Sequence, residues 1–333
     1  MIRLLIVALL VMGGTVAVLA VTFKQPLRID ESTFLLVERG DNINRLASAL
    51  EASLPMPPLV FRAYARLTAP QGHIQAGEYE LQPGITAPRL LALLRSGNVV
   101  QRQVTFPEGW TVSQWLDLLT ETPFLVNNSR TELLNSIGEP GAWEGYLYPD
   151  TYAYTRGESA KSILDRAKSK MNRVLTEVWE NRSGAGEVSD KSEALILASV
   201  IEKETGYDLD RPLVASVFNN RLARGMKLQS DPTVIYGLED FDGDLRRRHL
   251  KIDHPYNTYV IRGLPVAPIC NPGRASLEAA LNPPASPYLY FVAQGDGRSY
   301  FSTTLEEHNQ AVIQYQKTGR VENYRSAPSV TPH

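Results

Sequence analysis

SDKSEALILASVIEKETG, residues Ser189 to Gly206, carries the reading of this chain. Asp190 can cap a helix, with Glu193 three positions on as in a capping box, and Gly206 suits the position just past the helix end. At about 100° per residue, Ala194, Ile196, Leu197, Val200 and Ile201 spread over one broad apolar face. Glu204 projects near the centre of that face, and Glu202 projects roughly opposite it. The helix therefore aims one carboxyl at an apolar environment in its last turn. Burial and the negative end of the helix dipole both disfavour ionisation, so the pKa of Glu204 is expected to rise. A carboxyl kept protonated near neutral pH is what a general acid requires. The competing reading is a solvated glutamate paired with a nearby cation such as Arg211.

The rest of the composition narrows the function by exclusion. A chain of 333 residues has room for roughly two folded domains with a sizeable core. Its 34 Lys+Arg nearly balance 36 Asp+Glu, and a net charge of −2 excludes a strongly basic nucleic-acid binder. Cys270 is the single cysteine, which excludes an intramolecular disulfide framework and any multi-cysteine zinc site. The five histidines (73, 249, 254, 308 and 333) show no ligand spacing, so neither a metal nor a cofactor is expected. Arg246-Arg247-Arg248 reads as a solvated loop after Asp240, Asp242 and Asp244, or as a contact for anionic groups. No nucleophile motif and no phosphate loop appears.

The amino terminus stands apart. Leu4 to Phe23, LLIVALLVMGGTVAVLAVTF, has no charge, and about twenty residues of helix match the ~30 Å hydrocarbon core of a bilayer. Residues 1–23 are therefore expected to be an uncleaved transmembrane helix. The alternative is a cleavable signal peptide ending near Val18-Leu19-Ala20, although such apolar regions usually run only about 7–15 residues. Either reading exports the remainder of the chain.

Behind the anchor, FLLVERGDNINRLASALE (Phe34–Glu51) reads as a strand, a turn at Gly40 and a helix capped by Asp41. Further helices are expected over Leu59–Leu67, Pro88–Ser96 and Ser159–Asn181, with a strand over Val99–Phe106 and a helix capped near Thr111. Small strand–Gly–helix units of this kind resemble LysM-type glycan-binding modules. The expected class is α+β: an N-terminal transmembrane helix, a small LysM-like module over 24–106, a mixed α+β catalytic domain over 107–322, and a disordered tail over 323–333.

Five motifs in a fixed order sharpen this. FPEGWT (106–111), EGYLYPDTY (144–152), ASVIEKETG (198–206) with VASVFNNRLARGMKLQSDPTVIYGL (214–238), LKIDHPYNTYVIRGLPVAPICNPGRASLEAALNP (250–283) and PYLYFVAQGDGRSYFSTTLEEHN (287–309) follow one another. This set closely resembles the YceG-like family of endolytic murein transglycosylases, over essentially the whole chain.

The resemblance implies a single-pass inner-membrane protein with its C-terminal domain in the periplasm. It would cut the MurNAc-β-1,4-GlcNAc bond inside nascent peptidoglycan strands, leave 1,6-anhydroMurNAc ends and so terminate elongation. The family's catalytic glutamate is the second of EKET, which is Glu204 here, the residue the helical projection also selects. One carboxyl can act as acid and then as base, so the carboxylate pair of hydrolases is not required.

By motif match, Asn219, Arg221, Gln229, Ser230, Asp231, Thr233, Tyr236, Tyr256, Asn257, Thr258, Tyr259 and Asn271 are expected to contact substrate, amides and hydroxyls being suited to N-acetyl groups and sugar hydroxyls. Several also read as turn or core residues. The partners implied are peptidoglycan glycan strands, inner-membrane lipid and peptidoglycan synthases of the penicillin-binding class, with no nucleic acid. Val266-Ala267 stands where the family usually has Pro-Gly, so that loop is expected to take an ordinary conformation. Two rivals remain: a hydrolytic muramidase in which Asp231 is the second carboxylate, and a non-catalytic glycan-binding scaffold.

Overall fold

A computed structural model of the chain describes residues 21–68, 73–184, 186–204 and 206–318. It is a mixed α+β protein of helices and small two-stranded sheets, in two units. The first unit takes in residues up to Gln103 together with Phe124–Val126 and Ala153–Glu158, and the second takes in the remainder. Among the described residues no helix is long and apolar enough to cross a membrane. The expected anchor over 1–23 lies almost wholly outside the described residues, as does the expected tail over 323–333.

In the first unit β1 (Thr33–Val37) leads to α1 (Ile43–Ala49) and α2 (Pro58–Thr68), then β2 (Gly77–Leu81) and α3 (Ala87–Ser96). β1 and β2 pair antiparallel, Thr33 opposite Leu81 and Val37 opposite Gly77. Leu46, Phe61, Tyr79, Leu90 and Leu94 form the buried centre, each fully buried apolar side chain contributing about 2 kcal/mol. The cap of α1 is Asn42, not Asp41: the Asn42 side chain accepts from the amides of Asn44 and Arg45. Asp41 is occupied one step earlier, accepting from the Glu38 amide at 2.9 Å and pairing with Arg45 at 2.8 Å.

β3 (Arg102–Thr105) follows and pairs with β4 (Thr151–Tyr154), a strand reached after α4 (Val112–Glu121) and α5 (Arg130–Ile137). α4 begins with the expected cap: Thr111 and Gln114 exchange hydrogen bonds in a capping box. Phe106 and Trp115 stack 3.7 Å apart in the buried interior of the second unit.

The second unit is built around helices. α6 (Ala160–Glu180) precedes α7 (Lys191–Glu204), α8 (Arg211–Ala223), the short α9 (Asp231–Tyr236) and α10 (Arg274–Leu281). β5 (Tyr290–Ala293), β6 (Ser299–Ser302) and α11 (Leu305–Val312) close the chain, β5 and β6 pairing antiparallel. α7 is capped as its sequence indicates, with Asp190 accepting from the Glu193 amide at 2.9 Å, while the Glu193 carboxylate reaches back to Ser189 instead of Asp190. The expectation of one apolar face was too narrow. Every residue from Ala194 to Ile201 is buried, because α6, α8, α9 and α10 enclose the helix. A helix surrounded on all sides has little freedom to shift, so the groups in its last turn are held by the whole unit.

Candidate active site

The last turn of α7 sends its two glutamates to different surroundings. The Gly273 amide donates to Glu202 Oε2 at 3.0 Å, which ties that carboxylate to the loop before α10. Glu204 is half-buried and faces Ser230, Asp231, Arg221 and Tyr259. Desolvation lifts its pKa to about 7, helped by the Asp231 charge, against the Ser230 hydroxyl and the Arg221 cation, which lower it. Near neutrality Glu204 is thus poised between its acid and its carboxylate.

The wall opposite Glu204 is the start of α9. Gln229 takes the left-handed conformation, φ 52°, and is exposed. Ser230 follows, 1% exposed, and its Oγ has no hydrogen-bond partner within ordinary geometry. The hydroxyl nonetheless faces the Glu204 carboxyl closely enough to lower the pKa of that group, so its one evident influence is on Glu204. Asp231 is exposed, and Tyr259 Oη donates to its Oδ1 at 2.6 Å. Burial, and then the bond to Asp231, push the Tyr259 phenol well above its ordinary value, so it stays a donor.

Arg221 sits behind this wall, 8% exposed. Its Nε donates to the Leu289 carbonyl and its Nη1 to the Leu228 carbonyl, both at 2.7 Å. It thereby holds the Leu228–Gln229 turn and the start of β5 while its charge stays near Glu204, and burial lowers its pKa. The Tyr290 ring lies 5.1 Å from the guanidinium.

Other motif residues form the frame. Thr258 Oγ1 accepts from the Ser230 amide at 3.0 Å and shares a 2.8 Å hydrogen bond with Thr233, both threonines being fully buried. Asn257 donates to the Ile252 carbonyl and accepts from the Tyr259 amide. Asn219 donates to the Ala215 carbonyl and accepts from the Glu187 amide. Asn271 donates to the Trp110 carbonyl and accepts from the Leu147 amide. Backbone groups take the polar atoms of these three asparagines, Asn271 Nδ2 also reaching Glu144 Oε1 at 3.4 Å, so they fix loops around Glu204. Tyr236 and Tyr256 meet edge to face at 4.9 Å at the far end of α9. Among the predicted residues, then, Glu204, Ser230, Asp231, Arg221 and Tyr259 come together directly. Gln229, Thr233 and Thr258 adjoin them, and Asn219, Asn257, Asn271, Tyr236 and Tyr256 lie one layer out.

Sequence reasoning passed over Glu144. It is 3% exposed and accepts from the Val112 amide at 3.1 Å and from Tyr236 Oη at 3.0 Å. Its place in EGYLYPDTY was visible, but nothing local to that motif indicates burial. The Arg246 of the basic triplet pairs with Asp242 and Asp244, as expected of a solvated loop. Val266, in the loop that departs from the family pattern, is 63% exposed and bonds through its amide to the Pro255 carbonyl.

The chain matches the model of the YceG-like family over residues 35–314. It is 31% identical over 316 residues to the endolytic murein transglycosylase of Bacillus subtilis, a match covering 87% of each chain. It is 28% identical to the endolytic murein transglycosylase of Streptococcus pneumoniae D39, covering 84% of this chain and only 57% of that longer protein. The crystal structure of a yceG-like protein from Listeria monocytogenes superimposes with a TM-score of 0.50 at 31% identity, covering 84% of this chain and 99% of the other. With the family pattern spanning both units and the whole surround of Glu204, the chain belongs to the YceG-like family.

Proposed function

We propose that this protein is an endolytic peptidoglycan lytic transglycosylase with Glu204 as its single acid and base. The observation that carries the reading is a half-buried glutamate, its pKa lifted to about 7 by desolvation, that faces the buried Ser230 hydroxyl and the Asp231 carboxylate. The relatives' names give the same reaction class.

In this reading protonated Glu204 gives its proton to the glycosidic oxygen between MurNAc and GlcNAc as the C1–O bond breaks. The resulting carboxylate then takes the proton of the muramic C6 hydroxyl as that oxygen bonds to C1. Glu204 ends protonated, the leaving strand holds the first proton, and the product carries a 1,6-anhydro ring. No water is consumed. Positive charge developing on the ring is met by Asp231, and the Tyr259 hydroxyl keeps that carboxylate oriented. The Ser230 hydroxyl, by lowering the Glu204 pKa, favours the carboxylate that takes the C6 proton.

The wider setting belongs to the same proposal. Residues 1–23 tether the protein in the inner membrane with the rest in the periplasm, where strands emerge from synthases, and the first unit holds glycan in LysM fashion. Cell fractionation of the full chain and of a chain lacking residues 1–23 tests the tether. Pull-down of the protein on insoluble peptidoglycan tests the glycan hold.

Asp231 near Glu204 favours one second reading, hydrolysis, in which that carboxylate activates a water. Digestion of purified peptidoglycan followed by mass spectrometry decides. Anhydro ends support the transglycosylase, products heavier by one water support the hydrolase, and no cleavage by the full chain overturns both.

A further inference from the structure

Glu144 collects donors from separate stretches of chain. The Val112 amide at the start of α4, the Asn271 side-chain amide at 3.4 Å and the Tyr236 hydroxyl at the end of α9 all point at its carboxyl, and its own neighbour, the Gly145 amide, adds a further donor. A carboxylate is the only side chain that can accept from so many donors at one buried point. Tyr236 is the sole member of this set on α9, and α9 is a lever. It runs only from Asp231 to Tyr236, about 9 Å at helical rise, so a pull at one end moves the other. Its far end presents Ser230 and Asp231 to Glu204.

We propose that Glu144 is a positioning residue for Glu204: by gripping the Tyr236 hydroxyl it sets α9, and so fixes Ser230 and Asp231 against the Glu204 carboxyl. The inference rests on the reading of Glu204 as the acid only for its effect on rate; the grip itself is independent of it. The charged and titratable groups around Glu144 are Lys203 on α7, Tyr236 on α9, Tyr256 in the following loop and Cys270 before Asn271. Burial raises the pKa of Glu144 to about 7, with the Tyr236, Val112 and Gly145 bonds and the Lys203 charge opposing that rise. When Glu144 gains a proton it can donate to Tyr236 Oη, whose own O–H must then turn away, so the link persists in either state with its direction reversed.

The test reads the Glu204 titration without substrate, by carbon-13 NMR of labelled glutamate carboxyls, with Glu204→Gln assigning the signal. Glu144→Ala and Tyr236→Phe are each expected to move the Glu204 midpoint upward, because Ser230 lowers it by more than Asp231 raises it. Both should also lower kcat about tenfold or more, the order expected when a group near the reacting atoms is misplaced, with KM changed less than about threefold. Glu144→Gln should restore both readouts, since its oxygen accepts from Val112 and its amide donates to Tyr236. An unmoved Glu204 titration in either Glu144→Ala or Tyr236→Phe overturns the proposal, even if melting temperature falls. Should Glu144→Ala fail to fold, Tyr236→Phe, which removes one oxygen, decides alone. If the titration moves as expected but Glu204→Gln still cleaves glycan, the grip stands and the catalytic reading fails.

Discussion

Glu202 and Glu204 lie two residues apart on one helix turn, yet Glu202 Oε2 is bonded to the Gly273 amide at 3.0 Å whereas Glu204 faces Ser230 and Asp231. The first carboxylate closes a loop and the second is left proton-poised. Substitution should therefore separate them. Glu204→Gln is expected to abolish glycan cleavage with the fold intact. Glu202→Gln should keep cleavage within about tenfold and cost about 1 kcal/mol of stability through the weakened bond to Gly273. Product assays beside denaturant unfolding of both variants check this, and a Glu204→Gln protein that still cleaves would refute the assignment.

The raised pKa of Glu204 fixes the sign of two pH effects. The acid must be protonated, so kcat should fall as pH rises through about 7. Stability moves in the same direction. The unfolded chain releases this proton near pH 4.5 and the folded chain near 7, so between those values the folded state binds more protons and stability declines as pH rises. Glu204→Gln removes that decline. Its advantage over wild type should be near zero at pH 4 and reach about 2 kcal/mol at pH 8, at about 1.4 kcal/mol per pKa unit with some allowance for its residual exposure. Denaturant midpoints across that range measure it.

Ser230 offers a sharper probe, since its buried hydroxyl makes no ordinary-geometry bond to the frame and acts on Glu204. Ser230→Ala should leave the melting temperature unchanged or slightly higher, because no bond that holds the fold is removed. It should also shift the alkaline limb of the kcat profile upward, because the hydroxyl lowers the Glu204 pKa. Activity loss together with unchanged stability is the expected signature. A large drop in melting temperature would show that the hydroxyl is structural.

Arg221 is held by carbonyls of two separate segments, Leu228 and Leu289. A lysine carries one point charge on a flexible stem and cannot reproduce that fork. Arg221→Lys should cost about 2–3 kcal/mol in thermal or denaturant unfolding, in the range of lost hydrogen bonds from a charged group. Cleavage should fall with it, as the Gln229–Ser230 turn loosens.

The local signals that needed no tertiary partner were readable from the chain. The helix within Ser189–Gly206, its Asp190 cap and the cap near Thr111 follow from spacing within a few residues, where the backbone rules are local. The ordered motifs carried the family. Asp41 misled because two adjacent residues can both cap, and the Glu38 amide and Arg45 claimed one of them.

What the sequence by itself determined is therefore an α+β chain with one helix ending in a candidate acid. Tertiary structure alone decided which polar residues face that acid and which hold the loops around it. Asn219, Asn257 and Asn271 look like Ser230 and Asp231 on a list of motif residues. They differ because neighbouring backbone amides and carbonyls occupy their polar atoms, while the Ser230 hydroxyl faces Glu204. Glu144 follows the same logic, since its donors come from positions as far apart as Val112 and Tyr236. Hydrogen-bond satisfaction is settled by what the folded chain brings within about 3 Å, and no spacing along the sequence records it.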